Sequence, residues 1–215
     1  MRELWPWFAL LGLGAYHGIN PGMGWLFAVA LGLQEKDRRA VIRALFPLAL
    51  GHAASVSVVV LLVGLGQFIL PGPVLGWLCA AALFAFGLYR LFRSRHPRWV
   101  GMRVGFRDLT VWSFLMASAH GAGLMLAPIL LKWPNVEHAH HQMLQASMMG
   151  QITDSPALLL AAVVVHTLSL FVVTGAVAVL VYEKLGLALL RRAWFNFDLL
   201  WSAALLIAGV MALVL

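Results

Sequence analysis

Tyr16-His17-Gly18-Ile19-Asn20-Pro21-Gly22-Met23-Gly24 is a polar, helix-breaking cluster inside an apolar run from Leu4 to Leu33. About 20 helical residues cross a hydrocarbon core of roughly 30 Å, so the run is too long for one straight span. Asn20 is a good N-cap, Pro21 suits a first helical position, and a residue before proline is pushed out of the helical region. The stretch predicts two half-helices, or one sharply kinked helix, broken at Asn20-Pro21 with His17 beside the break. Irregular backbone at membrane depth persists only where protein or a water-lined cavity satisfies it, which makes His17, Asn20 and Pro21 candidates for a pathway. The plainer reading is a packing kink around a hydrogen-bonded core histidine.

The rest of the chain is equally apolar. Of 215 residues, 62% are hydrophobic and 11% charged, and the mean hydropathy is +0.90, which excludes an ordinary soluble domain and makes the lipid bilayer the first partner. The net charge of +7 sits in short loops between apolar runs, so topology explains it and nucleic-acid binding is not expected. Cys79 is the single cysteine and lies inside an apolar run, so neither an intramolecular disulfide nor a thiolate metal cluster can form. Arg2 is the one basic residue before the first apolar run and no convincing small-residue cleavage site follows, so the first span is expected to be retained.

Six spans account for the hydropathy: Leu4 to Leu33, Val41 to Leu70, Val74 to Leu91, Leu109 to Leu131, Ala157 to Val181 and Phe195 to Leu215. Pro71-Gly72-Pro73 is a turn tight enough to make the second and third spans antiparallel neighbours. Lys36, Arg38, Arg39, Arg43, Arg90, Arg93, Arg95, Arg98, Arg103, Arg107, Lys184, Arg191 and Arg192 fall in the first, third and fifth loops; only Arg2 and Lys132 fall on the other side. The positive-inside rule makes those three loops cytoplasmic and puts both termini outside, as expected for a bacterial inner (plasma) membrane protein. Trp5, Trp7, Trp77 and Trp133 mark the outer ends, and Trp99, Trp112 and Trp194 the inner ends, as interfacial belts do.

The two halves repeat each other with reversed direction. His17-Gly18 in the first span is matched by His120-Gly121 in the fourth, and His52-x-x-Ser55 in the second by His166-x-x-Ser169 in the fifth. The spacing between paired histidines is 35 residues in one half and 46 in the other, and the longer outer loop absorbs the difference. The expected fold is therefore all-α and polytopic. One transmembrane domain over 1–215 holds two inverted three-helix repeats, about 1–92 and 108–215, with a cytoplasmic basic loop at 90–107 and an outer loop at 132–156.

Each histidine alone has an ordinary reading as a core imidazole bonded to a carbonyl or serine. Four of them near the middle of four spans are costly to carry without a common use. Neutral imidazole is a common ligand for late first-row metals, so His17, His52, His120 and His166 form a candidate site for one transition-metal ion of unspecified identity. Asn20 offers a carbonyl oxygen, and Ser55 and Ser169 are candidates to orient the imidazoles. The spacing carries no carboxylate, so a divalent ion would keep its charge uncompensated, which suits passage better than permanent binding. His138, His140 and His141, with Met143, Met148 and Met149, form a second candidate metal cluster in the outer loop, or a plain solvated segment. Gly64, Gly66, Gly121, Gly123 and Gly175 permit close helix approach and leave a homodimer open. No nucleotide-binding or hydrolase motif is present.

His17-Gly18-Ile19-Asn20-Pro21-Gly22-Met23-Gly24, Leu50-Gly51-His52-Ala53-Ala54-Ser55 and Ser118-Ala119-His120-Gly121 resemble the signatures of the nickel/cobalt-efflux (NicO-type) permeases of the lysine-exporter superfamily. The resemblance covers mainly the first two spans and the fourth. It implies a six-span permease that exports a divalent transition-metal ion, with His17, Pro21, His52 and His120 in the pathway; His166 enters through the internal repeat. Where that family carries a second histidine after the first-span motif, this chain has Met23 or Trp25. Two other readings stay open: a proton-coupled exporter of a small organic solute, and a histidine-ligated membrane redox protein or metalloenzyme, with haem among the cofactors allowed.

Overall fold

Helix α1 (Trp5–Ile19) ends where Asn20 turns extended, with φ −66° and ψ 121°. The Asn20 Oδ1 accepts the Gly22 N–H at 2.8 Å and caps a 3-10 turn over Pro21–Met23. Gly24, at φ 112°, then swings the chain into α2 (Trp25–Glu35). That φ is open to glycine and strained for any other residue.

The computed structural model describes residues 4–92, 104–131, 156–185 and 197–214, and every regular element among them is helical. After α2 come α3 (Arg38–Ile69), α4 (Gly72–Phe92), α5 (Phe106–Ala119), α6 (Ala127–Leu131), α7 (Pro156–Leu180) and α8 (Phe197–Val214). A one-turn π-helix, Val181–Leu185, extends α7. The outer-loop cluster of His138, His140 and His141 lies outside the described residues, as does most of the basic loop.

Three stretches are long and apolar enough to cross a membrane: Arg38–Gln67, Gly72–Tyr89 and Pro156–Lys184. A fourth is a bent pair, Phe106–Ala119 with Leu124–Leu131, whose halves meet at 50°. Trp25–Glu35 and Leu199–Leu213 are shorter apolar helices. The chain is thus compatible with an integral membrane protein. Phe8, Leu62, Val172 and Ile207 are each at least 60% exposed, the outward apolar surface that lipid covers and water would not.

Two local expectations change. The stretch Leu109 to Leu131 is not one helix: α5 stops at Ala119, Gly121 adopts φ 67°, and a 3-10 turn at Leu124–Leu126 precedes α6. The first loop, expected over Gln34 to Arg43, shrinks to Lys36 and Asp37, because the Asp37 carboxylate accepts the Arg39 N–H at 2.9 Å and starts α3 at once. Arg38 and Arg43 occupy the opening turns of α3, where they pair with Glu183 (3.2 Å) and Glu35 (2.8 Å).

Close packing joins α1 to α7, α3 to α5 and α4 to α8, with α3 and α7 in contact across the middle. Small residues set the first two pairings. A Cβ on Gly18 would stand 2.9 Å from the Leu170 carbonyl oxygen, and one on Gly51 would stand 2.9 Å from the Phe114 nitrogen. Two apolar layers fill the bundle. One contains Leu10, Val56, Val60, Ala117, Leu126, Ala162 and Val163; the other contains Trp25, Val29, Val41, Leu45, Leu48, Leu109, Ala178 and Val181. Following the chain between them, α1 with α2, and α7, run from the first layer to the second, and α3 and α5 run back. His17, His52 and His166 each fall between the two layers.

Candidate metal centre

Three of the four mid-helix histidines converge. One ring nitrogen each from His17, His52 and His166 lies within 4.8 Å of the other two, and all three side chains are buried. α1 supplies the first, α3 the second and α7 the third, so the site exists only because these helices pack at the same level.

His17 Nδ1 is 2.7 Å from the Leu13 carbonyl oxygen. A carbonyl only accepts, so Nδ1 carries the proton and Nε2 is left as a bare lone pair. That Nε2 is buried with no hydrogen-bond partner. The ring stands 4.9 Å from His166 and 5.4 Å from His52, centre to centre. A metal-binding imidazole commonly holds its other N–H on a backbone carbonyl, and His17 has that arrangement.

His52 and His166 face each other directly, Nε2 to Nε2, at 3.2 Å. Two nitrogen lone pairs at that distance repel unless a proton or a cation lies between them. Two nitrogens about 2.0–2.1 Å from one tetrahedral ion would stand about 3.3 Å apart, which this pair already matches. Their Nδ1 atoms have no hydrogen-bond partner; the Leu10 backbone lies beside the His166 ring without meeting hydrogen-bond geometry at Nδ1.

The fourth histidine is held differently. His120 donates Nδ1–H to the Met116 carbonyl at 2.7 Å, the same four-residue reach that His17 makes, but its ring nitrogens are not part of the close group. It lies at the second helix break and against the first: a Cβ on Gly22 would be 3.3 Å from His120 Nε2. Asn20 Oδ1 is engaged in capping, and Pro21 shapes the turn that brings Gly22 to His120.

The serines tie helices together instead of orienting imidazoles. Ser55 Oγ pairs with Ser118 Oγ at 2.8 Å, joining α3 to α5, and Ser169 Oγ donates to the Leu11 carbonyl at 2.7 Å, joining α7 to α1. Backbone carbonyls of Leu13 and Met116, each four residues back on the same helix, orient His17 and His120.

Sequence reasoning passes over the aromatic wall of the site. Trp201 of α8 is fully buried, stacks on Tyr16 (ring centres 5.1 Å apart, planes at 9°) and meets His17 and His120 edgewise at 4.8 and 5.4 Å. Its Nε1–H donates to the His120 carbonyl at 2.5 Å, and the Tyr16 hydroxyl donates to the Leu200 carbonyl at 3.1 Å. The usable signal was a tryptophan set inside its span, away from the interfacial belts.

Comparison of the chain with protein-family models, with curated proteins and with solved structures returns no match.

Proposed function

We propose that the chain is a secondary transporter that exports a divalent transition-metal ion through a midplane histidine site. The observation that carries this reading is the buried convergence of His17, His52 and His166. Late first-row metals suit an imidazole donor set. An all-imidazole set leaves a divalent charge uncompensated in a low-dielectric interior, which favours passage over retention. His120, beside the first break, is the fourth ligand of the pathway, reached when the two breaks shift against each other.

Six spans follow if α1 with α2 and α5 with α6 are each one broken span. An inverted repeat is supported by the packing: α1 on α7 has its counterpart in α5 on α3, and α4 on α8 is common to both halves. His17 and His120 make the same bond to the carbonyl four residues back, and each break has a positive-φ glycine and a 3-10 turn. Alternating access would then open one apolar layer at a time. Export, outward-facing termini and kinship with the NicO-type permeases rest on the loop charges and the resemblance of the motifs. The tight ring packing of His17 on both His52 and His166 favours a single ion over a haem macrocycle.

The test is elemental analysis of purified protein loaded with Ni(II), Co(II) or Zn(II), followed by vesicle flux. A near-stoichiometric ion is expected in the parent, reduced at least about tenfold in His17→Ala, His52→Ala and His166→Ala, since even supporting residues around a metal are worth that much. A parent that retains no metal after loading and moves none into vesicles sinks the reading.

A further inference from the structure

The second break has an unusual dependence on a distant helix. His120 is the last residue before the chain turns at Gly121, and its carbonyl is one of the orphan acceptors that every helix end creates. At membrane depth such a carbonyl must find a donor, and here the donor is Trp201 Nε1–H, 81 residues away. The same indole stacks on Tyr16, whose hydroxyl holds the Leu200 carbonyl. α8 therefore holds both α1, one turn before its break, and the residue that caps the C-terminal end of α5. Leu205 of α8 closes over Gly121, where a Cβ would meet its Cδ2 at 3.2 Å.

We propose that the turn at Gly121 is the moving hinge of the histidine site and that Trp201 is its latch: while the indole N–H holds the His120 carbonyl, His120 and the wall over His17 stay closed, and release of that bond opens the site. The inference rests on the metal-transport reading. It identifies which break moves, because the last carbonyl of α1 is satisfied from its own neighbourhood: Trp25 Nε1–H donates to the Ile19 carbonyl at 2.9 Å and Asn20 caps the turn, while the distant bond from Thr174 Oγ1–H to the Gly18 carbonyl, at 3.3 Å, joins α1 to α7 ahead of the break. Nothing on α8 has to let go for the first break to keep its bonds. A metal also biases the latch. An imidazole sharing a cation's charge is held more strongly against an aromatic neighbour than a neutral one, so loading favours the closed arrangement through the His17–Trp201 contact. Trp201 is a positioning residue here, not a ligand.

The experiment uses the full chain in detergent with Co(II) as probe, reading the visible ligand-field band at equilibrium and its decay after excess chelator is mixed in. Trp201→Phe keeps an aromatic ring and removes the donor. The expected result is an unchanged Co(II) band with decay about tenfold faster than in the parent, the scale set by the loss of one buried hydrogen bond between α8 and the second break. Tyr16→Phe, which removes only the hydroxyl on Leu200, is expected to speed decay several-fold and serves if Trp201→Phe does not fold. Leu206→Val loosens the same helix against Gly87 of α4 without touching a donor or the hinge and is expected to leave the decay at the parent rate. Parental decay in both Trp201→Phe and Tyr16→Phe overturns the latch while the metal site stands. Acceleration by Leu206→Val equal to that of Trp201→Phe also overturns it, since loose packing would then suffice. A parent with no Co(II) band overturns the metal reading and the latch with it.

Discussion

The two helix breaks have similar parts but differ in where those parts come from. At the first, the groups at the turn itself lie within six residues: Asn20 caps, Pro21 starts the turn, Gly24 takes φ 112°, and Trp25 satisfies the Ile19 carbonyl, while Thr174 of α7 reaches the Gly18 carbonyl just inside α1 at 3.3 Å. At the second, Gly121 supplies a local bend at φ 67°, but the buried His120 carbonyl is held by Trp201 from α8. Where the last carbonyl before the bend is held by a neighbour, the turn is fixed by the local chain, whereas one held from afar is only as closed as the packing that brings the partner in.

The largest effect is expected at the two glycines. Gly24→Val forces a β-branched residue to φ 112° and presses its Cβ toward Leu48, at an expected loss of about 3 kcal/mol in unfolding free energy. Gly121→Val, at the milder left-handed φ 67°, is expected to lose about 1–2 kcal/mol. Denaturant titration of the detergent-solubilised variants ranks them, and equal losses would erase the difference between the breaks.

Removing the local indole comes next. Trp25→Phe orphans the Ile19 carbonyl and is expected to cost about 1–3 kcal/mol of stability. Chelator-induced loss of Co(II) should keep the parental rate, the reverse of the expectation for Trp201→Phe. A Trp25→Phe protein that releases Co(II) as fast as Trp201→Phe would make both breaks mobile.

The smallest is the cap. Asn20→Ala removes the acceptor for the Gly22 N–H and is expected to cost about 1 kcal/mol, read as a lowered unfolding midpoint. No change at all would mean that Pro21 and Gly24 hold the turn unaided.

Much of this was legible in the sequence, and its limits have physical causes. Asn20-Pro21 announces the first break because a cap and a ring-locked φ act on their own neighbours. The second break lacks proline, and His120-Gly121-Ala122-Gly123 reads as ordinary small-residue helix until Gly121 is seen at positive φ. The histidines stand out because imidazole is rare in apolar spans, so all four were candidates. Sequence order could not say that three gather while His120 stands at the other break, since that depends on helix rotation. Ser55 and Ser169 sit on the expected face but bond Ser118 and Leu11, because the close approach at Gly51 and Gly14 brings those groups within reach first.

By itself the sequence determined an all-helical, lipid-compatible chain, the place where its first helix must stop, and the side chains able to hold a metal. These follow from local rules: hydropathy over a helix length, the dihedrals that proline and glycine permit, and the donor atoms each residue carries. Tertiary structure alone decided that His52 and His166 meet at 3.2 Å, that His17 packs beside them with a buried, unpartnered Nε2, and that Trp201 closes the second break. Those are distances between helices far apart in the chain, and only the packing of small residues and apolar layers sets them.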